Sequence, residues 1–456
     1  MITLKIGGSS LRDTESLNRV VDIISTRTSL KKIVVLSAVK GVTDHLFKSI
    51  DEALKNDRQI NGLLEYLRLL HRELVVGCIQ TVSLRHQTMD EIEYLLSRLE
   101  KLLFGITFTG ECTPKTRELV ISSGERIAVQ VLTGCLQDRG VSAVPMDADK
   151  IGIYATGEFG NGNADLITTA KYLPAFLKPY LNRNSIPVIT GFFARTHDNH
   201  TITFGRGGTD YSAAIVAYAM DCSELQIWKD VDGFLTASPG LVSNAKPIEH
   251  LAYEEAAELA YFGAEILHPR TVEPLTKKNI RAVIKNTFEP DAVGTLIGAE
   301  KKQDKDVIKS VTCNSNIGVL RIYGAAIGQQ VGFLKGVVSA LSENNINIMS
   351  VITAQTDVNF LLSKSDLARG KLLIDSLKIP YIDSIETIKD IAVVAVVGVG
   401  LVETKGLAAR VFTSVAEVGT NVEMIVSGAS KVAQYFIIKL KDVEKTVRAI
   451  HREFFS

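Results

Sequence analysis

Residues 2–6 (ITLKI) and 32–37 (KIVVLS) are short, β-branched and apolar, and each ends at a Gly or Ser. Between them SLNRVVDIIS carries apolar residues at helical spacing. Two strands joined by a helical crossover must run parallel, and a parallel sheet needs helices on both faces. This opening therefore commits the chain to an α/β layer structure. One residue breaks the pattern. Lys5 lies inside the first strand, where a buried ammonium is costly unless an anion meets it.

The 456 residues suggest about three domains. Residues 44–118 are leucine-rich and charged with helical spacing, and read as an inserted lobe of two or three helices. The α/β pattern resumes in 118–132, read as a strand, a Gly turn and a helix, with further strands expected at 142–146 and 186–190. THDNHTITFGRGG (196–208) reads as a hairpin and a Gly-rich turn, 211–220 as a helix, and 224–233 as a strand entering a turn. Residues 253–263 read as a helix stopped at Gly263. The charge-dense 298–309 reads as a linker. Beyond it lies an internal repeat. GFLKGVVSALSENNINI (332–348) aligns with GLAARVFTSVAEVGTNV (406–422), and VLRIYG (319–324) with VVAVVG (393–398), at an offset of 74. Each unit reads strand, loop, helix, strand, and must bury one sheet face.

Composition excludes several functions. With 51 Lys+Arg against 51 Asp+Glu the net charge is zero, without the basic excess of a nucleic-acid binder. The longest apolar run, 391–402, has 12 residues, short of the ~20 that span a membrane, so no membrane partner is expected. The amino terminus lacks the pattern of a secretory or transit peptide. Five cysteines without a CxxC argue against a zinc site or disulfide framework and for a cytoplasmic location. His197 and His200 read as a hairpin tip rather than a metal pair. No GxxxxGK[ST] is present, and GVGLVE (398–403) reads as a repeat loop rather than a dinucleotide site.

What remains is a set of loops after strands, where ligands bind in such sheets. Lys5-Ile6-Gly7-Gly8-Ser9-Ser10 brings backbone N–H groups to an anion. Ser37–Thr43 is a second strand exit. Ser123-Gly124-Glu125-Arg126 opens a helix with a Glu that suits either the helix dipole or a substrate ammonium. Phe204–Asp210 sets Arg206 between glycines, suited to a carboxylate, ahead of a helix N-terminus. Trp228–Gly233 is a strand end and Asp-rich turn. Singly, each is also what an ordinary turn looks like; their shared position after strands is what joins them.

In order, the motifs KxGG(S/T)S, SAxxGVT, GER, FGRGGxD, (W)xDVDG and FGAxxLHP (262–269) resemble aspartate kinase. That resemblance covers essentially the whole chain. It implies an amino acid kinase-like (carbamate kinase-like) three-layer α/β sandwich over 1–300, with a helical insert at about 44–118. Two ferredoxin-like ACT domains would follow at 301–385 and 386–456. The implied reaction moves the γ-phosphoryl of ATP, with Mg2+, to the β-carboxylate of L-aspartate, the first step of lysine, threonine and methionine biosynthesis. Implied roles are Lys5 and Asp210 at the transferring phosphoryl, and Gly7, Gly8 and Ser9 as phosphate loop. Arg206 would hold the α-carboxylate and Glu125 the α-ammonium. Thr43 and Ser37 would belong to the aspartate pocket, and Lys229 and Asp230 to the ATP site, with no protein-held metal. Trp228 reads as a packing residue. Leu235 and Gly240 depart from a Tyr and an Arg of some members, and Glu265 from a nucleotide-contacting Lys. The ACT resemblance implies feedback by an amino acid and a homodimer or higher oligomer. Residues 348–355 carry no carboxylate, and Asp357 is the nearest, which favours a neutral effector such as threonine, or none, over lysine. The alternatives are a kinase of the same fold acting on glutamate or an N-acylglutamate, and a non-catalytic amino-acid sensor. A fused homoserine dehydrogenase is not expected at this length.

Overall fold

The computed structural model describes residues 1–26, 30–205, 207–264, 266–302 and 307–455. Contacts divide the chain into two units. The first comprises the described residues of Met1–Phe234, Pro247–Ala260 and Glu265–Lys302, and the second those of Leu235–Lys246, Tyr261–Ala264 and Gln303–Ser456.

The first unit is built on an eight-stranded sheet. In spatial order its strands are His250–Ala252, Thr295–Gly298, Arg281–Asn286, Glu224–Lys229, Ile2–Ile6, Lys32–Leu36, Ile186–Thr190 and Ala143–Met146. All neighbours are parallel except Arg281–Asn286 with Thr295–Gly298. Ile33, Val34, Val35 and Leu36 are 0% exposed, as expected of a strand covered on both faces. Each such side chain contributes about 1.5–3 kcal/mol on burial. The crossover helix Thr14–Ser25 starts where the Asp13 carboxylate accepts the Ser16 N–H at 2.8 Å.

The inserted lobe holds the helices Val42–Ala53, Ile60–Cys78, Val82–Thr109 and Pro114–Ile121. The last of these corrects a sequence expectation, since residues 118–121 are helical and not a strand. Thr113 caps the Thr116 N–H and Pro114 occupies the first turn, so helix start signals override a short β-branched run. With Ser123–Asp138 it makes a nearly continuous helical run of 25 residues, Pro114–Asp138, whose most apolar 18-residue window has a mean hydropathy of 1.3, enough in length and composition for a membrane span. Its most apolar window is 89% buried inside the fold, which is the environment of a core helix. The hairpin Phe193–Arg195 with Thr201–Thr203 and the helix Gly208–Ala219 stand where the pattern placed them.

The second unit has two four-stranded antiparallel sheets. One runs Ser350–Thr353, Asp357–Ser363, Ile317–Tyr323, Ser384–Ile388; the other runs Ser310–Asn314, Ile391–Val397, Ala433–Lys439, Val422–Val426. The repeat is visible as the matched helices Phe333–Glu343 and Leu407–Glu417, each entered through a left-handed glycine, Gly332 and Gly406. The modules are not simply consecutive. Ser310–Asn314 precedes the first module in sequence and pairs with Ile391–Val397 of the second sheet. Ser384–Ile388 closes the first sheet against Ile317–Tyr323, across the boundary expected at 385/386. The expected linker at 298–309 falls partly on 303–306, outside the described residues.

Candidate active site

The parallel strands Ile2–Ile6, Lys32–Leu36 and Glu224–Lys229 all point their C-terminal ends at one cavity of about 810 Å³. Its walls include Lys5, Gly8, Ser9, Ser37, Thr43, Glu125, Asp210 and Lys229. Eight of the residues singled out from sequence are thus brought together. Gly7 and Asp230 are not among the lining residues, although the Gly7 N–H donates to the Trp228 carbonyl at 3.1 Å and so stitches the two loops. Arg206 and Glu265 lie outside the described residues.

Sheet register explains the charge centre. Lys5 pairs with Ile227, and Lys229 stands two residues further on, so both lysines leave the same face. They converge on Asp210 in the first turn of Gly208–Ala219. The Lys5 Nζ is 2.7 Å from Asp210 Oδ1, and the Lys229 Nζ is 3.2 Å from Oδ2. Lys229 also donates to the Ile266 carbonyl at 2.5 Å. Burial alone would raise the Asp210 carboxyl; the ammonium groups of Lys229 and Lys5 overcome it and hold it at about 2. Burial lowers Lys5 below the ordinary lysine value despite Asp210. Two cations on one anion leave a net positive pole in the cavity.

Glu125 is the opposite case. It sits in the first turn of Ser123–Asp138, 3% exposed. One carboxylate oxygen accepts the Ala38 N–H at 3.2 Å. The other, Oε2, is buried with no hydrogen-bond partner among the described residues. Burial pushes this carboxyl up to about 8. A buried carboxylate left half-unsatisfied costs free energy until a donor arrives. The loops are also locked to each other: a Cβ on Gly8 would lie 2.6 Å from the Ala38 carbonyl oxygen, so only glycine fits there.

Three residues with no role in the sequence reading shape the site. Arg126 pairs with Asp147 and, at 2.6 Å, with Asp149, whose carboxylate also accepts the Thr201 hydroxyl at 2.6 Å. This ties the start of the Glu125 helix to the hairpin that leads into residues 204–210. Lys40 and Arg117 line the cavity, with the Arg117 guanidinium 5.2 Å from the Phe47 ring. Arg117 comes from the insert's last helix, and no local pattern in sequence points it toward the loops. Trp228 is 5% exposed and its indole N–H donates to Gln226, so it packs rather than lines the cavity. His197 meets Asp165 at 3.2 Å at the hairpin tip, and no cluster of three or more His, Cys, Asp or Glu fit for a metal occurs among the described residues.

Comparison with known proteins agrees with this arrangement. The amino acid kinase family model matches residues 1–286, and an ACT domain model matches 394–454. Aspartokinase 1, chloroplastic, of Arabidopsis thaliana is 32% identical, over 99% of this chain and 80% of its own length. The bifunctional aspartokinase/homoserine dehydrogenase of Buchnera aphidicola is 29% identical, over 100% of this chain and 56% of its own length. Among solved structures, E. coli aspartokinase III in complex with aspartate and ADP, the R-state, superposes with a TM-score of 0.87 at 27% identity, covering 100% of both chains. The same enzyme in complex with lysine and aspartate, the T-state, gives 0.79 at 28% identity, again covering 100% of both chains.

Proposed function

This chain belongs to the aspartokinase family of phosphotransferases, and we propose that its cavity carries the γ-phosphoryl of MgATP to the β-carboxylate of L-aspartate, giving 4-phospho-L-aspartate. The observation that favours a free amino acid over an N-acylated one is the half-unsatisfied carboxylate of Glu125, to which an α-ammonium brings a positive charge that a neutral amide lacks. The acceptor carboxylate, with an ordinary pKa of ~3.9, is already ionised at neutral pH, so no strong general base is required. The obstacle is bringing an anion to a polyphosphate, and the work is positioning and charge stabilisation. Lys5, held by Asp210, stabilises the transferring phosphoryl group. Gly7, Gly8 and Ser9 offer backbone and hydroxyl donors to phosphate oxygens. Lys229 supplies the cation of the nucleotide side, with Asp230 in the adjoining turn. Arg206 takes the α-carboxylate, and Thr43 and Ser37 complete the aspartate pocket. Mg2+ enters as part of the MgATP substrate, coordinated mainly by phosphate and water.

The domain reading that goes with this is a catalytic region over 1–300 and ACT modules over 301–385 and 386–456. We assign the ACT modules amino-acid feedback, with a neutral effector such as threonine favoured. The edge strand Ser350–Thr353 carries no acid to meet a lysine ammonium, although E. coli aspartokinase III has been crystallised with lysine. A homodimer or higher oligomer through the ACT modules would cover Val331, Leu334, Val338 and Val351, which are exposed around the helix and edge strand of the first. A cytoplasmic location is in keeping with five free cysteines. Hydroxamate trapping of the acyl phosphate tests the reaction. Aspartate should give product, and glutamate and N-acetylglutamate far less. Product from N-acetylglutamate alone would overturn the reading, and the same assay with threonine or lysine added reads out the effector.

A further inference from the structure

One helical face supplies three side chains to the cavity. Arg117, Ile121 and Glu125 follow one another at intervals of four along the run Pro114–Asp138, and all three line it. Residues at that spacing share a face. The spacing has this meaning only because residues 118–121 are helical. On the helix Val42–Ala53, Thr43 and Phe47 line the cavity at the same interval. Arg117 is the exposed cation of this wall, and its guanidinium lies 5.2 Å from the centre of the Phe47 ring. That guanidinium makes no hydrogen bond or ion pair among the described residues. The nearby acids are otherwise disposed. Glu118 is 1% exposed and accepts the Thr203 N–H. Asp44 lines the cavity without pairing with Arg117. Arg126, by contrast, is taken up by Asp147 and Asp149.

We infer that Arg117 is a further acceptor-binding residue, whose guanidinium, laid on the Phe47 ring, meets the α-carboxylate of the amino acid whose ammonium Glu125 takes. Eight residues put ~12 Å of axial rise between Arg117 and Glu125. The two side chains therefore hold opposite charges at separate places along one face, which is the pattern a zwitterion needs. The β-carboxylate must turn toward Lys5 and the transferring phosphoryl, so the carboxylate left for the insert's wall is the α one. A guanidinium is suited to it, because its donors form a planar fork that matches a carboxylate. The ring beneath keeps that fork from collapsing into solvent and adds a cation–π attraction. This inference rests on the aspartate kinase reading.

The test uses the full chain, with calorimetric titration of aspartate beside steady-state kinetics with MgATP and aspartate. Arg117→Gln should raise Kd and KM for aspartate about tenfold, the weight of a hydrogen bond to a charged group, with KM for ATP little changed. Tm should hold, since the side chain is exposed and bonds to nothing in the fold. Arg117→Lys keeps the charge without the fork and should recover little of the loss. Phe47→Leu removes the ring and should raise Kd for aspartate about threefold. In an Arg117→Gln background it should add nothing, because both act through one group. Four results overturn the inference: wild-type aspartate binding in Arg117→Gln, an equal rise in KM for aspartate and ATP, full rescue by Arg117→Lys, or a Phe47→Leu effect that persists without Arg117. A wild type that binds aspartate and does not phosphorylate it overturns the reaction instead, and the titrations still judge Arg117. A wild type that does not bind aspartate overturns both.

Discussion

Replacing Glu125 by Gln separates a substrate-binding carboxylate from a structural one. In the free protein burial raises this carboxyl from an ordinary 4.5 to about 8. Only the ionised form pairs with an α-ammonium, so KM for aspartate should fall by about 50-fold between pH 6 and pH 8 as Glu125 ionises, with kcat little changed. The Gln variant keeps an acceptor for the Ala38 N–H and loses the charge. Its KM should be roughly 10–100-fold higher at pH 8, the value of a hydrogen bond to a charged group, and nearly flat with pH. Stability moves the other way. A carboxyl raised on folding contributes stability that is complete below its unfolded value of 4.5 and is lost as pH rises through about 8. At about 1.4 kcal/mol per pH unit the ligand-free wild type gives up on the order of 5 kcal/mol across that window, and Glu125→Gln gives up none of it. Chemical denaturation without substrate should therefore find the variant the more stable protein at pH 8. Saturating aspartate should narrow the gap, since it binds only the wild-type carboxylate well. A wild-type KM that is flat from pH 6 to 8, or a variant with the same slope, refutes the assignment.

Other substitutions probe the positive pole and the loops. Asp210→Asn leaves Lys5 and Lys229 facing each other without their anion; kcat should drop by roughly 10²–10³ and stability by about 3–5 kcal/mol, read by turnover and denaturant titration. Gly8→Ala drives a Cβ to 2.6 Å from the Ala38 carbonyl oxygen, so KM for ATP should rise and stability should fall by about 1–3 kcal/mol; an unchanged Tm would show that the loops are free to part. Arg206→Lys keeps the charge and loses the fork, and should raise KM for aspartate about tenfold or more while KM for ATP stays put.

Where local chemistry decides structure, the sequence was legible. Lys5 in an apolar strand, Gly8 after it, and Glu125 at a helix start are short-range signals, and all three line the same cavity. The repeat showed because matched helices must bury matched faces, Val337 with Val411 and Leu341 with Val415. The strand expected at 118–121 failed because a β-branched run of that length fits helix or strand, and the cap at Thr113 with Pro114 settled it. Arg117 and Lys40 were passed over because nothing in their neighbours' spacing says which loop they will face.

The sequence by itself determined the layer type, the set of loops that bear chemistry and the duplication of the regulatory module, since these follow from period, turn residues and composition. The tertiary structure decided which of them act together. Lys5, Asp210 and Lys229 become one charge centre only because Ile2–Ile6 and Glu224–Lys229 lie side by side in a register that puts both lysines on one face. Ser310–Asn314 enters the second regulatory sheet, and Tyr261–Ala264 leaves the catalytic unit, through pairings roughly 50 to 90 residues away in sequence. Such long-range pairings depend on closing large loops and on packing against surfaces assembled from distant segments, and neither is written in local periodicity.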